Sequence, residues 1–208
     1  MKYNLDLSNL SIQKYKELLK SQNLLPGRRL LLHNIDQNFE IIGNCKINNM
    51  FELKKALSTP KKLALFASNS GLSENYLKIL KREIGTFEQK PVLLKDFPNI
   101  DTVLLFNLEA NGIATSKDYY EYYYNKQDEL FCLCDLVRIN GVGPLAARTF
   151  FEAGYESVFD VANANASILL KKVSKINDVK HYYKANLGIK DMQFCIDFAS
   201  LLIKYGNE

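Results

Sequence analysis

Two histidines and four cysteines are all the imidazole and thiol groups that this 208-residue chain carries. Only Cys132 and Cys134 lie close together, and they lack the two-residue spacing of zinc knuckles. No structural metal site and no cofactor is therefore expected, and the scattered cysteines read as buried free thiols. There is no Walker loop, no nucleophile elbow and no histidine pair spaced for a metal on one helix, so the chain is not expected to be an enzyme. No segment approaches the roughly 18 apolar residues that a membrane span needs, and Met1 to Ser8 has no signal-peptide core. These absences point to a cytoplasmic protein without a membrane partner.

What is present is a moderate positive charge, unevenly placed. The net charge is +4, with residues 1–92 at +7 and residues 93–208 at −3. Arg28, Arg29, Lys54, Lys55, Lys61, Lys62, Lys78, Lys81 and Arg82 lie beside helical apolar positions in the basic part. They read as a charged outer face, or as a surface for nucleic acid or acidic protein if they cluster in space.

Apolar residues recur at helical spacing almost throughout, and no segment keeps the two-residue alternation of a half-buried strand. The expected fold class is all-α. Polar caps with an acid three residues on mark helix starts at Asn49, Thr115 and Ser157. A candidate hairpin precedes each start: Asn34-Ile35-Asp36, Asn99-Ile100-Asp101 and Gly141-Val142-Gly143. The spacings agree to within one residue, and a shift of 42 aligns Gly112 with Gly154 and Asp118 with Asp160. Three helix-hairpin-helix units in tandem follow. A second shift, of 117, carries residues 53–84 onto 170–201 and pairs Leu53-Lys54-Lys55 with Leu170-Lys171-Lys172. It predicts an additional helical pair after the first and third units. The expected divisions are an N-terminal helix in residues 1–23, the first unit with its helical pair in 24–90, and the remainder in 91–208. Residues 85–91 form the linker.

The third hairpin differs from its sisters. Gly141 and Gly143 permit backbone geometry closed to other residues, and Pro144 suits the first position of a helix. Asp36 and Asp101 stand where the third hairpin has Gly143, and each is expected to cap its own helix, which closes that start to an external anion. Asp135-Leu136-Val137-Arg138-Ile139-Asn140-Gly141-Val142-Gly143 resembles bacterial tandem helix-hairpin-helix proteins grouped under a domain of unknown function, a likeness spanning about residues 24–205. In the wider helix-hairpin-helix class, hairpin amides hold one DNA phosphate without reading sequence. The resemblance implies a phosphate cradle at Gly141, Val142 and Gly143, with Ala147 as the small contact between the helices. Arg138 and Arg148 are the nearest cations to assist it. That class often has Lys or Arg after the proline, where this chain has Leu145.

The expected function is therefore non-enzymatic contact with a DNA or RNA backbone through the third hairpin. The alternative is a protein-interaction scaffold. Tyr119, Tyr120, Tyr122, Tyr123 and Tyr124 cannot all face one core, so part of that aromatic cluster should be exposed for base stacking or a protein contact.

Overall fold

The computed structural model describes residues 2–22, 24–124, 126 and 128–206, and divides the chain into two compact units. One comprises residues 6–88. The other joins residues 89–208 to the first five residues of the chain. Residues 1–23 therefore do not stand apart, since the division falls at Leu5/Asp6 and again at Glu88/Gln89. Among the described residues all regular elements are helical, with two isolated antiparallel bridges.

The unit of residues 6–88 contains α1 (Ile12–Ser21), a 3-10 segment (Pro26–Leu32), α2 (Ile35–Asn44), α3 (Met50–Ala56), α4 (Pro60–Ser70) and α5 (Glu74–Ile84). Ser11 caps α1 by accepting from the Lys14 amide, and Tyr15 and Leu19 form the buried face of that helix. The second unit contains α6 (Thr102–Ala110), α7 (Ser116–Tyr122), α8 (Glu129–Leu136), α9 (Pro144–Glu152), α10 (Val158–Ala162), α11 (Ala166–Lys180) and α12 (Ile189–Tyr205). Helices α11 and α12 pack on each other, and α12 also packs on α10.

All three expected cap residues act as caps. Asn49 accepts from the Glu52 amide at 2.9 Å, Thr115 from the Asp118 amide at 3.2 Å, and Ser157 from the Asp160 amide at 3.1 Å. Asp118 completes the reciprocal box by accepting from the Thr115 amide at 2.9 Å. Left-handed backbone recurs in step with these caps. It occurs at Asn34 and Lys46, at Asn99 and Gly112, and at Gly141 and Gly154, each pair bounding the first helix of a cap-containing segment.

The amide that opens the second helix of each segment finds an acceptor, but not of one kind. Met50 donates to the Leu10 carbonyl at 2.9 Å and Ser116 to the Val92 carbonyl at 2.8 Å, where short bridges run beside the helix start. Val158 donates instead to the Asp135 carboxylate at 2.7 Å. A buried carboxylate thus takes the place of a backbone carbonyl.

Two sequence expectations need correction. Asp101 caps α6, accepting from the Val103 and Leu104 amides at 2.7 and 3.2 Å, but Asp36 caps nothing. Only 12 residues separate Asn34 from Lys46, against 13 in the other two segments, and α2 begins directly after the left-handed Asn34. Asp36 consequently falls inside the first helical turn, where its carboxylate pairs with Lys16 at 2.9 Å and Lys20 at 2.7 Å. The 117-residue duplication is also out of register over its first half. Leu53-Lys54-Lys55 belongs to α3, whereas Leu170-Lys171-Lys172 belongs to α11. Gly71 is left-handed and ends α4, while Gly188 is extended and starts α12. The physical equivalents are set by the caps: α4 begins after Thr59 and α11 after Asn165, each four residues beyond the preceding helix. Only the α5 and α12 stretches keep the predicted phase.

Replacing Asp101 with Ala removes two cap bonds and is expected to lower unfolding free energy by about 1 kcal/mol in urea titrations. Asp36→Ala should cost less, since the Asp36 carboxylate is exposed and caps no amide.

Candidate functional site at the third hairpin

Helix α8 starts at Asp128, whose carboxylate accepts from the Phe131 amide at 2.8 Å and from the Tyr119 hydroxyl at 2.7 Å. Burial works to raise that carboxyl, but the Lys126 ammonium, the Tyr119 hydroxyl and the Phe131 amide outweigh it and hold it below the usual range. The helix ends at Leu136, and the chain turns through Ile139, whose carbonyl accepts from the Val142 amide at 3.0 Å. Gly141 has φ of +88°, a conformation that a side chain would strain. Val142 is buried and Ala147 fully so, and α8 packs on α9. Gly143 is the N-cap of α9 with φ of −87°, and no side chain caps that helix. Its start is therefore open to an external acceptor, in contrast to the α6 start under Asp101.

The two arginines expected to assist a phosphate are not solvated surface charges. Arg138 is 6% exposed and Arg148 3%. Arg138 forms an ion pair with Asp135, donates to the Tyr120 hydroxyl at 2.6 Å and to the Tyr3 carbonyl at 2.8 Å, and lies over the Tyr120 ring. Arg148 donates to Glu129 at 2.8 Å and to the Pro98 carbonyl at 2.7 Å. Both guanidinium groups hold distant chain segments together. Apart from Asp135, their partners lie 18 or more positions away in sequence, beyond the reach of a local reading.

The first residues of the chain complete this interior. Tyr3 is fully buried, its hydroxyl shares a 2.8 Å hydrogen bond with Ser116, and its amide donates to Glu121 at 3.1 Å. Tyr3 packs edge-on against Tyr120, which stacks on Phe131. The aromatic cluster divides accordingly: Tyr119 and Tyr120 are buried, and Tyr122 and Tyr124 are exposed.

Beside the open start of α9 lies a groove of about 390 Å³. Val142, Pro144, Leu145 and Phe150 line one side, and Leu187, Met192 and Phe194 the other. Phe194 approaches Gly141 closely enough that a Cβ there would lie 3.8 Å from its ring. Asp191 is the one carboxylate in the lining, and it accepts from the Gly188 amide at 2.8 Å. Burial pushes the Cys195 thiol, also in the lining, up to about 12, which leaves it protonated. No Lys or Arg lines the groove. Sequence reading found the hairpin and missed the groove, because its second wall comes from residues 183–195, some 40 positions downstream.

Among the described residues no cluster of three or more His, Cys, Asp or Glu side chains is placed to hold a metal, and no helix is long and apolar enough to cross a membrane. Residues 125–199 match the family described as Domain of unknown function (DUF4332), a narrower span than the resemblance over residues 24–205 suggested. The matched stretch contains the third hairpin and every residue that lines its groove. No curated protein and no solved structure matches the chain.

Arg138→Met leaves the buried Asp135 carboxylate uncompensated and is expected to cost about 3–5 kcal/mol in urea unfolding. The double variant Asp135→Asn/Arg138→Met removes that charge and keeps an acceptor for the Val158 amide, so it should recover a measurable part of the loss.

Proposed function

We propose that the chain is a non-enzymatic binding scaffold of three tandem helix-hairpin-helix units, whose third hairpin takes an acidic, apolar-anchored segment of a partner protein. The observation that carries this reading is the lining of the groove: apolar on both sides, with its one charged residue, Asp191, already engaged with the Gly188 amide, and continuous with the open start of α9. A carboxylate on the partner meets the α9 amides, and an adjacent apolar side chain fills the groove. Leu145, 43% exposed, and Phe194, 49% exposed, offer apolar contact at the rim. Exposed Lys184 and Lys190, on the segment that forms the second wall, complement an acidic partner. The groove volume falls at the small end of the range typical of ligand pockets. The four free cysteines fit a cytoplasmic setting.

A second reading is favoured by the uncapped α9 start alone: a nucleic-acid phosphate held by the hairpin amides. It leaves the apolar wall without a role, and it lacks the charge-assisted contact that Arg138 and Arg148 were expected to supply.

Gly143→Asp separates the two readings. A Cβ at Gly143 meets nothing within 4 Å, and Asp there reproduces the cap seen at Asp101, closing the helix start without disturbing the fold. Fluorescence anisotropy should use a labelled peptide with two leucines between aspartates, its alanine counterpart, and a 20-base-pair duplex. The leucine peptide should bind more tightly than the alanine one, and Gly143→Asp and Leu145→Asp should each weaken it at least tenfold. Duplex affinity should change less than twofold in Gly143→Asp. Loss of duplex binding in Gly143→Asp with helicity retained, or equal binding of the two peptides, overturns the proposal.

A further inference from the structure

The basic residues of the unit of residues 6–88 include a group that serves no internal partner. Five of the eight carboxylates in this unit are engaged with cations: Glu17 and Asp36 with Lys16 and Lys20, Glu74 with Lys78, Glu83 with Arg28, and Glu88 with Lys54. Glu52, one turn before Lys55, instead accepts from the Asn48 amide at 2.7 Å. Among the described residues no carboxylate lies within ion-pair distance of Lys55, Lys61 or Lys62, and all three are exposed.

These three lysines border a single turn. Lys55 sits in the last turn of α3, and Lys61 and Lys62 in the first turn of α4, with Leu57-Ser58-Thr59 between the helices. A fourth cation reaches the same turn from another element, since Lys81 of α5 donates to the Ser58 carbonyl at 2.7 Å. Helices α3, α4 and α5 pack on one another, so the cluster is held by three mutually braced elements. Four like charges on one turn repel, and of the four only Lys81 has a hydrogen-bond acceptor among the described residues, the Ser58 carbonyl. Phe51, 55% exposed, lies one helical turn before Lys55 on α3 and presents an aromatic ring beside the cations.

We infer that the α3–α4 turn is a contact surface for single-stranded nucleic acid, with Lys55, Lys61, Lys62 and Lys81 against the phosphodiester backbone and Phe51 stacking on a base. A polyanion relieves the mutual repulsion of the lysines and releases its own counterions. An exposed ring next to them supplies sequence-tolerant stacking, which a folded acidic protein or an intact duplex does not use. This surface belongs to the unit of residues 6–88, the third hairpin to the other unit, and the role inferred for it does not depend on the reading given to that hairpin.

Anisotropy with labelled oligo(dT) of 20 nucleotides, a 20-base-pair duplex, and polyglutamate as competitor tests the inference on the full chain. Four phosphate contacts predict that log affinity for the single strand falls with log salt at a slope of about −3. Lys55→Glu/Lys61→Glu/Lys62→Glu should lose at least tenfold in affinity, and Phe51→Ala several-fold on the single strand while leaving duplex binding unchanged. All these side chains are exposed or, for Lys81, left untouched, so circular dichroism should show native helicity in both variants. Gly143→Asp should bind oligo(dT) as the wild type does. Binding within twofold of wild type in the triple variant, polyglutamate competing as well as unlabelled oligo(dT), or no oligo(dT) binding at low salt would overturn the inference.

Discussion

The buried ion pair between Asp135 and Arg138 is the constraint on which the second unit depends. Asp135 lies in the last turn of α8 among buried apolar residues, and its carboxylate satisfies two needs together: the charge of Arg138 and the opening amide of α10. Arg138 in turn reaches the Tyr3 carbonyl and the Tyr120 hydroxyl, so one guanidinium ties the start of the chain to α7 and α8. A buried pair of this kind contributes little net stability compared with a well-packed apolar substitute, but losing one member is costly. Its use here is to specify which segments meet. Residues 1–5 are thereby recruited into a unit whose remaining residues begin at Gln89.

That commitment shapes the third hairpin. A positive residue at the end of α8 was the natural candidate to meet a phosphate, and the structure turns it inward instead. With Arg148 equally engaged, the hairpin keeps its open amides and loses its expected cations. The neighbouring α12 then supplies an apolar wall through Met192 and Phe194. An uncapped helix start beside an apolar groove presents a different surface from an uncapped start beside arginines, although the hairpin residues are the same.

The features legible in the sequence were those set by local geometry. Asn49, Thr115, Ser157 and Asp101 all cap as expected, because a side chain and an amide two or three residues away meet whatever the surrounding fold does. Asp36 was misjudged by a one-residue difference in segment length, enough to move a carboxylate from the cap into the helix. The 117-residue shift failed for a related reason: Leu-Lys-Lys recurs on any amphipathic helix, and matching letters do not fix which helix carries them. Arg138, Arg148 and the groove were not legible, since their partners Tyr3, Pro98 and Phe194 lie roughly 50 to 135 positions away. Long-range pairing of polar groups leaves no periodic trace in a chain.

The central claim is that Arg138 is an interior structural residue and not a ligand-binding one. Proton exchange at its Nε, followed by nuclear magnetic resonance, tests this most directly. The account predicts slow exchange of the Arg138 Nε proton, with a shift unchanged on adding inorganic phosphate or oligo(dT) and accelerated exchange in Asp135→Asn. Exchange as fast as that of a solvated arginine, or a shift that titrates with phosphate, would contradict it.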